Sequence, residues 1–248
     1  LQSSGVIHDD IMDGTEIRRG MKCWYKKEDI GTMAIEDGRI ITKGIYLILK
    51  KYFSNHPYYV QFLESFHELD MLARIGQALD EMYMTDGLKY FNMTHYYKLA
   101  KYKTYHLFTL PIIIAMYLSG QYNQDVYEKA ESICCELGIF FQIKNDFKDC
   151  FAYYPIGSDI RQGKFTWLAI FAVEKGTVEQ RSILEKHYGQ NNSESESIIF
   201  NLYNELCLTE EYNILRKDRY NYIVNRILDL SKPSLQRVLN NYVEELFI

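Results

Sequence analysis

Residues 9–20 read Asp-Asp-Ile-Met-Asp-Gly-Thr-Glu-Ile-Arg-Arg-Gly and close an apolar helical stretch that begins at Leu1. At about 100° per residue, Asp9 and Asp13 lie one turn apart on one helix face, with Asp10 about 60° from Asp13. Three carboxylates so placed repel one another unless a cation sits among them. Oxygen donors without a histidine suit magnesium, which keeps part of its water shell and binds phosphate. Arg18 and Arg19 follow, then Gly20. A turn there brings guanidinium groups beside the carboxylates, where they can grip diphosphate oxygens in a fork. An acidic helix end alone is more often solvated surface; the Arg-Arg-Gly sequence brings the two readings level.

The same angular pattern recurs in Phe-Phe-Gln-Ile-Lys-Asn-Asp-Phe-Lys-Asp, residues 140–149. Asn145, Asp146 and Asp149 repeat the spacing, and Gln142 lies about one turn earlier on the same side. Apolar flanks at Ile139–Phe141 and Cys150–Phe151 argue against a plain solvated stripe. Two such helices facing each other could hold metal ions with an anion between them, as inward carboxylates do in helical bundles. Lys103 and Thr104, in Lys-Tyr-Lys-Thr, and Lys164, after Ser158-Asp159, add cations and a hydroxyl. Singly, each reads as an ordinary surface residue.

The 248 residues contain only 4 prolines and 14 glycines, so long helices are favoured over a turn-rich β protein. Periodicity predicts helices near 1–13, 31–53, 57–83, 94–119, 123–150, 158–174, 177–188, 195–206, 209–229 and 232–246. Thr94 and Ser231 are the expected caps, and Pro111 is expected to kink its helix. One all-α domain over 1–248 is the economical reading, and a chain that opens inside a helix is expected to lack its N-terminal helices. A net charge of −5 argues against a general nucleic-acid binder. The five cysteines show no zinc-like spacing, which predicts reduced thiols and an intracellular, cytoplasmic or mitochondrial, setting. No stretch is long and apolar enough to span a bilayer.

With both acidic clusters placed, the chain resembles farnesyl diphosphate synthase and its trans-prenyltransferase relatives. The segments that carry the resemblance are DDIMDGTEIRRGMKCWY, IGQALD, KYKT, FFQIKNDFKD, GSDIRQGKFTWL and LEKHYGQ, in family order over almost the whole chain. The resemblance implies an isoprenoid-synthase helical bundle around a central cavity, a cluster of three magnesium ions and a homodimer. It implies that Asp9, Asp10 and Asp13 bind metal on one side, with Asn145, Asp146 and Asp149 on the other, supported by Gln142. It further implies that Arg18, Lys103, Thr104 and Lys164 hold an allylic diphosphate, and that Gln2 and Arg19 match contacts to isopentenyl diphosphate.

Several positions depart from that family. Asn145 replaces the first aspartate of the second motif, and Lys148 adds positive charge beside it. Pro155 stands where the synthases carry a lysine, and Leu107 stands near an expected tyrosine. Ser4 and Gly5 replace two bulky aromatics that floor the cavity of farnesyl synthases. The C-terminus, Val-Glu-Glu-Leu-Phe-Ile, is acidic where the synthases are often basic. These departures favour a magnesium-dependent terpene synthase of the insect sesquiterpene type. Such an enzyme ionises farnesyl diphosphate, releases pyrophosphate and cyclises or quenches the carbocation. The alternatives are a prenyltransferase adding isopentenyl diphosphate to an allylic diphosphate, with Ser4 and Gly5 permitting a product longer than farnesyl, and a non-catalytic partner subunit.

Overall fold

The structure is a computed structural model that describes residues 1–120, 122–152 and 157–247. Helix α1 (Gln2–Met12) leads into a small hairpin, β1 (Ile17–Arg18) and β2 (Met21–Lys22), in antiparallel register with Ile17 opposite Lys22. The hairpin turns on Arg19 and Gly20, whose φ angles of 54° and 77° are the left-handed pair that a two-residue turn requires. Helices α2 (Met33–Phe53), α3 (Tyr59–Asp86), α4 (Met93–Leu118) and α5 (Gln124–Phe151) follow. Shorter helices α6 (Asp159–Gln162), α7 (Trp167–Lys175), α8 (Val178–His187) and α9 (Ser193–Glu205) precede α10 (Leu208–Leu228) and α11 (Pro233–Phe247). The expected helical bundle is the fold observed, with little sheet among the described residues. None of these helices is long and apolar enough to cross a membrane.

Several details differ from the sequence reading. The single helix predicted over 158–174 is two, because Gly163 takes a left-handed φ of 68° and ends α6. Thr166 then caps α7 by accepting from the Ala169 amide. The cap of α4 is Asn92, not Thr94, its side chain accepting from the His95 amide, and α11 opens at Pro233 itself, one residue later than a Ser231 cap would set it. Pro111 lies inside α4, which continues through it.

The larger core joins α4, α5 and α7 to α11 through Leu99, Ile133, Leu137, Phe140 and Ile170. A smaller one, with Leu49, Phe62, Leu69, Leu110 and Ile113, lies between α2, α3 and α4. Glycines set the spacing where it matters. A Cβ on Gly76 of α3 would stand 2.7 Å from the Lys103 amide nitrogen, and one on Gly138 of α5 would strike the Thr104 hydroxyl. Both neighbours therefore close on α4 at the Lys103–Thr104 level.

Candidate active site

Asp9 and Asp13 project from the last turns of α1, while Asp10 is turned into the protein. Arg18 Nε donates to Asp10 Oδ1 at 2.5 Å, and its Nη2 lies 3.6 Å from Asp9 Oδ2. The hairpin is thus folded back onto the acidic helix end. Lys164 Nζ stands 2.6 Å from Asp13 Oδ1, in the four-residue break between α6 and α7. That contact lacks hydrogen-bond geometry, so Asp13 Oδ1 is buried without a hydrogen-bond partner. Lys103 Nζ donates to Asp80 Oδ2 at 2.6 Å. Burial pulls the Lys103 ammonium down, but Asp80, Asp9 and Asp13 together outweigh it and hold its pKa above the ordinary lysine value.

On α5 the carboxylates serve different ends. Asp146 is buried and accepts from Gln142 Nε2 at 2.8 Å, the Tyr96 hydroxyl at 2.6 Å and the Trp167 amide at 2.8 Å. Burial lifts its pKa to about 6, against the pull of those three donors. Asp149 Oδ2 accepts the Asp159 amide at 3.1 Å, and a Cβ on Gly157 would run into its carboxylate. Burial raises Asp149, and raises Asp159 well above the usual range with Asp149 adding to it. Asp9 and Glu81 are also raised, chiefly by burial. Arg18, Lys103 and Lys164 are fewer than the carboxylates around them, and the cleft is short of positive charge.

The structure brings Asp9, Asp13, Lys103 and Lys164 together, and Lys164 also acts on Asp149 and Asp159 across the cleft. Asn145 and Lys148 are exposed on α5. Gln142 is spent on Asp146, and Thr104 donates to the Ala100 carbonyl at 2.7 Å. Gln2 and Arg19 are exposed at the start of α1 and the tip of the hairpin. Ser4 does not floor a cavity: it is 1 % exposed and its hydroxyl bonds Thr42 Oγ1 of α2 at 2.6 Å. Gly5 has open space where a Cβ would point. Pro155 lies outside the described residues. Of the acidic C-terminus, Leu246 and Phe247 are buried and their carbonyls accept from Lys144 and Arg216.

Sequence reasoning missed Asp80, Glu81, Tyr96 and Asp159. Asp80 ends the IGQALD segment and Asp159 sits in GSDIRQGK, so both carried a signal; Tyr96, one of 22 tyrosines, carried none. The donor chemistry fits a hard divalent cation. Asp9, Asp13, Asn145 and Asp149 offer only oxygen, and the orphaned Asp13 Oδ1 lacks a fully engaged partner. Among the described residues no three His, Cys, Asp or Glu side chains already converge as a metal cage.

A family profile described as "Polyprenyl synthetase" matches residues 1–206. The chain belongs to the polyprenyl synthetase family. Among its polyprenyl synthetase relatives is the farnesyl pyrophosphate synthase of Bos taurus, 36 % identical over 94 % of this chain and 68 % of its own length. The farnesyl diphosphate synthase of Dictyostelium discoideum is 34 % identical over 92 % of this chain, which spans 63 % of that protein. A bisphosphonate complex of the Trypanosoma brucei farnesyl diphosphate synthase superposes with a TM-score of 0.92 at 25 % identity, over 99 % of this chain and 75 % of that one.

These relatives overturn the expectation of a terpene synthase. Matches of 32–36 % identity over nearly the whole chain are to farnesyl diphosphate synthases, which supports the prenyltransferase alternative. Ser4 is small because α2 packs against it. Asn145 is exposed on α5, away from the Asp9–Asp13 end of α1 in sequence, and leaves those two aspartates unchanged.

Proposed function

We propose that this chain carries the catalytic core of a trans-prenyltransferase that adds isopentenyl diphosphate to an allylic diphosphate. The observation that carries the reading is the cleft in which Lys103 and Lys164, each on a carboxylate, flank Asp9 and Asp13. Bound by Asp9 and Asp13 on one side and Asn145 and Asp149 on the other, magnesium would screen the diphosphate and stabilise charge on the departing pyrophosphate. Lys103, Lys164 and Arg18 exchange their carboxylate partners for phosphate oxygens and orient the allylic C1–O bond. That bond breaks and its electron pair leaves with pyrophosphate. The π electrons of the isopentenyl double bond form the new C–C bond, and loss of a proton from the adjacent carbon restores an alkene. Asp146 does not meet substrate in this scheme. It ties α5 to α4 and α7 and so holds Asn145 and Asp149 at the cleft.

We infer also that two copies associate through α2. Ile40 and Leu47, seven residues apart on one face, are 66 % and 69 % exposed, and Ile41 and Ile48 lie beside them.

Incubation with magnesium, geranyl diphosphate and isopentenyl diphosphate tests the reading. A longer allylic diphosphate and free pyrophosphate are expected. Consumption of farnesyl diphosphate alone to hydrocarbon or alcohol, with isopentenyl diphosphate untouched, would overturn it.

A further inference from the structure

Lys164 springs from the four residues between α6 and α7, and the end of α8 lies against them. Gly163 and Gly189, with left-handed φ angles of 68° and 75°, touch: a Cβ on Gly163 would stand 3.1 Å from the Gly189 Cα. Only residues without a Cβ let two turns approach so closely. The Gly189 amide donates to the Ile160 carbonyl at 3.0 Å. From α9, the buried Glu196 accepts both arms of the Arg161 fork, at 2.6 and 2.8 Å.

This contact sets Tyr188 beside the lysine. Its hydroxyl donates to the Lys164 carbonyl at 2.6 Å and lies 3.4 Å from the hydroxyl of Thr166, the cap of α7. The Thr166 amide is a second donor to that carbonyl, at 3.0 Å. The Tyr188 ring is held as well. Phe91 meets both Tyr188 and Phe165 edge-on, with centroids 6.1 and 4.8 Å away. Burial raises the Tyr188 phenol above its ordinary value, so it stays a donor. The group presented to the cleft is the Lys164 ammonium, 2.6 Å from Asp13 Oδ1. A lysine charge rides on a flexible stem, so the placement of its backbone decides where that charge can reach.

We propose that Tyr188 is the positioning residue for Lys164, fixing the peptide from which the lysine springs, with the Arg161–Glu196 pair bracing the same segment. That Lys164 meets phosphate belongs to the prenyltransferase reading, on which this role rests, but inorganic pyrophosphate probes the contact without turnover.

Tyr188→Phe removes one hydroxyl and keeps the ring. Calorimetry with magnesium and pyrophosphate should show binding roughly tenfold weaker in Tyr188→Phe, part of a charge-assisted contact being lost. Lys164→Ala should weaken it further. The double variant should match Lys164→Ala within about twofold, because the hydroxyl acts only through that lysine. Arg161→Lys, which loses the fork, is the second probe and should behave in the same way, with circular dichroism showing that each variant is folded. Unchanged binding in Tyr188→Phe overturns the assignment. So does a loss that adds in full to that of Lys164→Ala, since the hydroxyl then acts through the fold at large. Coupled losses in a protein that never consumes isopentenyl diphosphate would overturn the prenyltransferase reading and leave Tyr188 as the residue that positions Lys164.

Discussion

At the residue scale, two aspartates that look alike in the sequence have opposite duties. Asp13 holds a buried oxygen that stands 2.6 Å from the Lys164 ammonium without a hydrogen bond, whereas Asp146 accepts from Gln142, Tyr96 and Trp167. Asp13→Ala should lower kcat by roughly 10²–10³, the cost of losing one electrostatic stabiliser of the transition state. Its melting temperature should not fall, since the change also relieves an excess of negative charge. Asp146→Ala strands the buried Tyr96 hydroxyl and the Trp167 amide, and should cost about 2–4 kcal/mol of stability. Kinetics and thermal melts on both variants check this, and equal destabilisation by the two would remove the distinction. The spacing of Asp9 and Asp13 was readable because helical periodicity fixes which residues share a face. That Asp10 and Asp146 turn inward was not. Their partners Arg18, Tyr96 and Trp167 come from other elements, and a residue's own neighbours in sequence do not reveal them.

At the scale of elements, nearly every helix was legible from its apolar period, and the exception lies at the site. The break at 163–166 requires a left-handed glycine and a capping threonine, a pattern that the apolar run Phe165–Phe171 obscures. The break places Lys164 over Asp13. Helix α2 packs on α1 and, through Leu49, on α3 and α4, while Ile40 and Leu47 stay exposed on the face that carries the association proposed above. Charge placed there should separate the copies without touching the cleft. Ile40→Asp combined with Leu47→Asp is expected to halve the mass seen by sedimentation velocity while circular dichroism stays unchanged. An unaltered sedimentation coefficient at twice the monomer mass would move the interface elsewhere.

At the scale of the whole molecule, the cleft is an electrostatic liability that a bound cation would relieve. Burial lifts Asp9, Glu81, Asp149 and Asp159, and takes Asp146 to about 6. An unfolded aspartate titrates near about 4. Between those values Asp146 holds more proton in the native state than in the unfolded chain, so its contribution lowers metal-free stability as pH rises through the window. Above it these carboxylates are ionised at a cost, and a divalent ion competes with no proton for them. Magnesium at about 100 times its dissociation constant would add about 2.7 kcal/mol, which for a chain of this size raises Tm by about 5–10 °C. The rise should be larger near pH 7.5 than near pH 5, because burial raises Asp9 and Asp149 and protons compete with the ion for them as pH falls. Differential scanning fluorimetry with magnesium and with a chelator at the two pH values measures it. An equal rise at both would mean that the ion stabilises the protein somewhere other than this set of buried carboxylates.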